Sequence, residues 1–118
     1  MEFYKCSHCG NIITKLTDKG VPVMCCGEKM QLLVANEVDA AVEKHVPNVE
    51  KENNLVLVNV GSTIHPMEEG HYIDWICVET RDNFYFKKLS IKPEAKFLVD
   101  EEVINVYSYC NLHGLWKN

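Results

Sequence analysis

Four of the chain's six cysteines fall within its first 36 residues, as Cys6-Ser7-His8-Cys9-Gly10 and, fifteen residues further on, Cys25-Cys26-Gly27. That stretch has too few apolar side chains to build a core, so the sulfurs must supply what holds it together. Structural disulfides are uncommon in reducing compartments, and a bound metal contributes folding free energy directly. The CxxC knuckle offers two thiolates to one ion. Gly10, lacking a Cβ, lets the chain turn back so that backbone amides face the sulfurs. Cys25 and Cys26 complete a four-sulfur tetrahedral set that suits zinc or a single iron. Neighbouring residues in extended chain point opposite ways, so these two converge only through a tight turn, which distorts the tetrahedron. Zinc ribbons use CxxC twice, and a vicinal disulfide is strained; a CC pair departs from the first and does not require the second. His8 sits between ligands of a set that is already full and is assigned to the surface.

From about residue 37 the pattern changes. The runs LVLVNV (55–60), HYIDWICVE (71–79), NFYFKKL (83–89) and EVINVYSYC (102–110) read as strands. Asn53-Asn54, Gly61-Ser62, Arg81-Asp82-Asn83 and the Lys92-Pro93-Glu94 corner separate them as turns, at the spacing of an antiparallel all-β domain. A sandwich is the natural packing, and a barrel gives the same signals. With 118 residues and 47% hydrophobic content, the chain divides into a small metal-stapled segment, 1–36, and one ordinary domain, 37–118. A net charge of -5 with acids and bases interspersed leaves no basic stripe to follow a phosphate backbone, so no nucleic-acid partner is expected. No apolar run is long enough to span a bilayer, and MEFYKCSHCG lacks the basic-then-apolar layout of a secretory signal. A soluble, cytoplasmic protein without membrane partners is expected.

The four histidines other than His8 all lie in the second segment, at expected strand ends or loops. Each alone is more often an ordinary surface or core residue; the set carries the weight. Cys110-Asn111-Leu112-His113 is a CxxH whose spacing lets a thiolate and an imidazole reach one ion. His65 and His71 bracket the loop IHPMEEGH, where Pro66 and Gly70 are suited to bring both rings to one point. His45 comes from a separate loop, EKHVP, with Pro47 restricting the backbone after it. Four neutral imidazoles and one thiolate are one ligand more than structural zinc takes and one fewer than octahedral iron accepts, which implies an open position. A ferrous ion with one thiolate leaves a single positive charge at the site, attractive to a small anion in a chain negative overall.

CxxC, fifteen residues and CCG together resemble the desulforedoxin module, in which the ion is iron. EKHVP, STIHPMEEGHYIDWI and YCNLHGLW, in that order, are similar to the three ligand segments of superoxide reductases. Between them the two resemblances cover nearly the whole chain and point to the desulfoferrodoxin, or two-iron superoxide reductase, family. The resemblance implies an all-β chain, a desulforedoxin-like module followed by an immunoglobulin-like seven-strand β-sandwich. It also implies a homodimer and two irons per chain, one on Cys6, Cys9, Cys25 and Cys26, the other on His45, His65, His71, His113 and Cys110. The histidines would be equatorial and the cysteine axial. It places Glu43 and Lys44 at the mouth of the second site, Lys44 to attract superoxide and help deliver protons, Glu43 to fill the sixth position of ferric iron. The family reaction reduces superoxide to hydrogen peroxide, with rubredoxin as the usual electron donor; the cysteine-bound iron would relay electrons or simply stabilise.

Cys77, inside WICVE with no partner at ligand spacing, reads as a buried thiol that packs as a small hydrophobe. Trp75 belongs to the core by its place in mid-strand, and Trp116 is near enough to His113 for either a core or a shielding role. Two other function classes fit parts of the sequence. One is an iron electron-transfer protein that never turns over superoxide; the other is a zinc-stabilised binding module.

Overall fold

The computed structural model describes residues 1–118 apart from Asp39 and the side chain of Glu43. The chain separates into two compact units, Met1–Val34 and Ala35–Asn118.

In the first unit β1 (Phe3–Lys5) lies between β2 (Ile12–Thr14) and β5 (Gln31–Leu32), both antiparallel to it. A separate hairpin pairs β3 (Met24–Cys25) with β4 (Glu28–Lys29). Its two-residue turn is Cys26-Gly27, with φ of 52° and 76°. Positive φ at both central positions matches the twist of the flanking strands, and Gly27 takes it without steric cost. The fully buried apolar residues are few: Phe3, Cys6 and Met30. Three side chains do not make a core of ordinary size.

Among the described residues of the second unit a helical turn, α1 (Val42–His45), precedes seven strands. β6 (Pro47–Glu52), β7 (Leu55–Val60) and β10 (Glu94–Leu98) form one sheet in the order β10-β7-β6. β8 (Ile73–Thr80), β9 (Phe84–Lys88), β11 (Val103–Cys110) and β12 (Gly114–Lys117) form the other, in the order β12-β11-β8-β9. Every pairing is antiparallel. Alternate residues of β7 and β10, namely Val56, Val58, Val60, Ala95 and Phe97, meet Ile76, Val78 and Val106 of the other sheet in one buried cluster. Two sheets sharing a core make a seven-strand sandwich rather than a barrel, in keeping with the expected architecture.

The four runs read as strands correspond to β7, β8, β9 and β11. β6, β10 and β12 add to them. The Lys92-Pro93-Glu94 corner is shorter than expected, because Glu94 already pairs with Asn59 at the start of β10. His45 is not in an irregular loop but closes α1. Val46, forced toward extended backbone by Pro47 (φ -70°, ψ 125°), ends the helical turn there.

Candidate metal centres

The first donor set lies within the first unit. Cys6, Cys9, Cys25 and Cys26 bring their sulfurs within 4.8 Å of one another. The left-handed turn at Cys26-Gly27 is what aims two adjacent cysteines at one point. Cys9 Sγ and Cys25 Sγ are 3.6 Å apart, beyond the ~2.0 Å of a disulfide and close enough to share an ion. Backbone amides face the sulfurs: Cys9 N–H donates to Cys6 Sγ at 3.5 Å and Asn11 N–H to Cys9 Sγ at 3.5 Å. The Cys9 amide, above all, holds the Cys6 thiol below its ordinary range. Its three neighbouring sulfurs push the Cys26 thiol up. Four thiolates cannot coexist at this spacing without a cation, so the donor chemistry fits a metal. His8 is exposed beside Glu28, Nε2 to Oε1 3.1 Å, and adds nothing to the set.

The second donor set is built by three segments of the sandwich unit. α1 delivers His45, the connection over 61–72 delivers His65 and His71, the end of β11 delivers Cys110, and the turn between β11 and β12 delivers His113. The four rings stand edge to face around a square. Centroid separations are 4.7 Å for His45–His65, 4.7 Å for His65–His71, 5.0 Å for His71–His113 and 4.8 Å for His113–His45. Across the diagonal His45 and His71 are 6.3 Å apart and nearly parallel. Cys110 Sγ lies 3.9 Å from His113 Nδ1. Donor atoms of His45, His71, Cys110 and His113 all fall within 4.8 Å of one another. His65 joins through Nε2, 3.2 Å from His45 Nε2.

Ring nitrogens on the far side fix the tautomers. His45 Nδ1–H donates to Ala41 O at 2.6 Å and His65 Nδ1–H to Pro66 O at 2.7 Å. A carbonyl only accepts, so both Nε2 atoms carry bare lone pairs, and these face each other. His71 Nε2 is buried with no hydrogen-bond partner. Two opposed lone pairs and an orphaned buried nitrogen are costly unless a cation sits among them, so these residues fit a metal. Three rings present Nε2 and His113 presents Nδ1. Burial is the main reason that His45, His65 and His71 titrate below the usual histidine range, His65 at about 4. All three are therefore neutral near pH 7, the form that binds metal. Burial raises the Cys110 thiol, opposed by the amides of His113 and Leu112; His113 N–H donates to its sulfur at 3.4 Å.

Lys44 is exposed on α1, and its charge contributes to the depression of His45 and His71, which puts it within electrostatic reach of the rings. The side chain of Glu43 lies outside the described residues. Trp116, left open between two roles by sequence, stacks on His45 at 4.8 Å and donates Nε1–H to His113 O at 3.1 Å. Trp75 is buried and stacks on Tyr109 at 5.6 Å. Cys77 is buried, its thiol pushed up to about 11 by desolvation. Two supporting residues escaped the sequence reading. Ser108 Oγ–H donates to His45 O at 3.0 Å, and nothing in VYSYC marks it. Asn111 bonds to the backbone on both sides of His71, and its place between two ligands in CNLH was the available signal.

The family model described as desulfoferrodoxin matches residues 37–118, and that of the desulfoferrodoxin N-terminal domain matches residues 1–33. A desulfoferrodoxin of Syntrophotalea carbinolica is 48% identical, the match covering 100% of this chain and 95% of that one. The superoxide reductase of Treponema pallidum superposes with a TM-score of 0.83 at 36% identity, covering 99% of this chain and 97% of the other. A one-iron superoxide reductase from Giardia intestinalis gives a TM-score of 0.55 at 31% identity, covering 64% of this chain and 95% of that one.

Proposed function

This chain belongs to the desulfoferrodoxin family, with both donor sets of a two-iron protein in place, and on that footing we propose that it is a superoxide reductase. The observation that carries the reading is the square of four imidazoles flanked by the Cys110 sulfur. Iron bound there supplies the one electron that superoxide takes up with two protons to become hydrogen peroxide. The chain's own residues do the rest. His45, His65, His71 and His113 hold the ion as neutral donors, so only Cys110 offsets its charge, and the surroundings stay attractive to an anion. Lys44 adds a cation at the surface, draws superoxide in and supports proton delivery. Glu43, its neighbour on α1, is assigned the role of a carboxylate ligand to the oxidised site.

Residues 37–118 carry the reaction in this proposal, and residues 1–36 hold a second iron that relays electrons or stabilises the chain. The two family models, which match residues 37–118 and 1–33 separately, support that division. The family resemblance supports a homodimer fed by a rubredoxin-type donor, and the absence of a secretory-signal layout in MEFYKCSHCG supports a cytoplasmic location. Among the described residues no helix is long and apolar enough to cross a membrane.

The test mixes the reduced, iron-loaded chain with superoxide in a stopped-flow or pulse-radiolysis cell. Oxidation of the second iron at a near diffusion-limited rate, with one peroxide formed per superoxide and no oxygen released, is expected. Lys44→Ala should slow that step by roughly tenfold and weaken its salt dependence. Oxidation no faster than in a Cys110→Ser chain would instead identify an electron carrier that does not turn over superoxide.

A further inference from the structure

Three hydrogen bonds run from Asn111 to the backbone on either side of His71. Tyr72 N–H donates to Asn111 Oδ1 at 2.7 Å, Asn111 Nδ2–H donates to Gly70 O at 3.0 Å, and Asn111 N–H donates to Tyr72 O at 3.1 Å. The amide cannot be turned over, because that would set an NH2 against an N–H and an oxygen against a carbonyl. Asn111 follows Cys110 directly and stands two residues before His113. One side chain thus ties the segment that carries His71 to the turn that carries the thiolate and the fourth imidazole.

The ladder between β8 and β11 ends where Cys110 pairs with Ile73, after a register irregularity. Beyond it Asn111 still donates its backbone N–H to Tyr72 O, but its side-chain Oδ1 replaces its carbonyl as the acceptor for Tyr72 N–H, and its Nδ2–H adds the bond to Gly70. His71 needs such help. Among the described residues its backbone pairs through the isolated bridge with Glu68, N–H to O 3.2 Å in one direction and 2.9 Å in the other. That bridge closes the His71 loop on itself and leaves its position relative to Cys110 undetermined. The rings of His45 and His65 are each anchored through Nδ1 to a nearby carbonyl. The buried Nε2 of His71 has no partner, so its aim depends on where its backbone is held.

We propose that Asn111 is a positioning residue for the second metal centre, setting the distance from His71 to Cys110 and His113 through its bonds to Gly70 and Tyr72. The inference rests on the ligand set proposed above and is independent of which reaction that set performs. Groups that orient a ligand without touching the metal typically change affinity by roughly 10- to 100-fold when removed.

The experiment follows iron release from the full, iron-loaded chain into excess chelator. The readout is the thiolate-to-iron band that Cys110→Ser abolishes, with the band of the four-cysteine site as internal reference. Asn111→Ala should accelerate release from the second site by roughly 10- to 100-fold, shift its band, and leave the reference unchanged. Asn111→Asp keeps the acceptor for Tyr72 and loses the donor to Gly70, and should fall between. Val56→Ala, a truncation in the shared core where β7 pairs with Lys51 and Phe97, should lower thermal stability while releasing iron at the wild-type rate. The proposal is overturned if both Asn111 variants release iron as the wild type does, or if Val56→Ala accelerates release as much as they do. Should Asn111→Ala fail to fold, Asn111→Asp decides on the same criteria. A wild-type chain without the Cys110-dependent band would sink the ligand set itself, a result distinct from either.

Discussion

In the second centre the rings of His45 and His65 are held by carbonyls and the backbones around His71 and His113 by neighbouring side chains, and these partners set what single changes do. Trp116 touches two ligands at once, through its stack on His45 and its bond to His113 O. Trp116→Phe keeps the stack and loses the bond, an expected cost of about 1 kcal/mol; Trp116→Ala removes both and should cost roughly 3–5 kcal/mol. Urea unfolding of the two variants under identical metal loading checks the order. His65 sets a pH window for the chain stripped of metal. Its folded pKa of about 4 lies below the ~6.5 of an unfolded histidine, so between these values the unfolded chain binds more protons. Stability is therefore complete above about pH 6.5 and declines as pH falls toward 4, by an amount on the order of 3 kcal/mol from this ring. His45 and His71 are shifted the same way and deepen the loss. Denaturant midpoints unchanged between about pH 7 and about pH 4.5 would contradict this linkage. At this scale the sequence was most informative about ligands, because His and Cys at short spacing have few other uses. It said less about their partners: CNLH sets Asn111 between two ligands, but the backbone groups to which Asn111 and Ser108 bond belong to distant segments that the sequence does not pair with them.

Among the elements, legibility followed runs of β-branched and aromatic residues more than burial. β7 alternates Val56, Val58 and Val60 inward, and β8, β9 and β11 each carry several β-branched or aromatic residues, so all four stand out as strands, β9 although it is mostly exposed. β6 reads PNVEKE, an edge strand facing solvent with almost nothing apolar to mark it. β10, EAKFL, does alternate, with Ala95 and Phe97 inside, but Pro93 and Glu94 beside it read as a turn. β12 has four residues, too few for a period. α1 was hidden for the same reason, and Pro47 drew attention away from the helical turn it terminates. The turn from Cys110 to Gly114 is the element on which most depends. Gly114 closes it with φ of 81° and pairs back to Cys110. Gly114→Ala meets no serious clash, Val38 Cγ2 being 3.7 Å from the added Cβ. It still imposes a left-handed conformation on a side-chain-bearing residue, at about 1–2 kcal/mol. The expected outcome is weaker iron retention at the second site with the four-cysteine site intact, read by metal content after dialysis.

For the molecule as a whole, the two units differ in what keeps them folded. Residues 35–118 share a core that draws on both sheets, whereas residues 1–34 bury Phe3, Cys6, Met30 and little else. Removing both metals should therefore unfold the first unit and leave the second largely folded. Amide exchange would show it: protection lost across β1, β2 and β5 and retained in β7, β8 and β11. Simultaneous loss in both units would contradict the expectation. A cysteine cluster in a core-poor segment, followed by alternating runs, made this contrast visible in the sequence. What residue spacing left open, and the family resemblance alone implied, was that three histidine-bearing segments meet in a square, because convergence over distances of up to 68 residues is a property of the sandwich's topology.

Cys110 and His113 hang from one short turn, so they behave toward the ion as a chelating claw. If either lets go, the other keeps it at an effective concentration of about millimolar or higher, and rebinding outruns escape. Ion exchange at this centre should accordingly begin at the rings of the other two segments, with the thiolate and its neighbour the last to open.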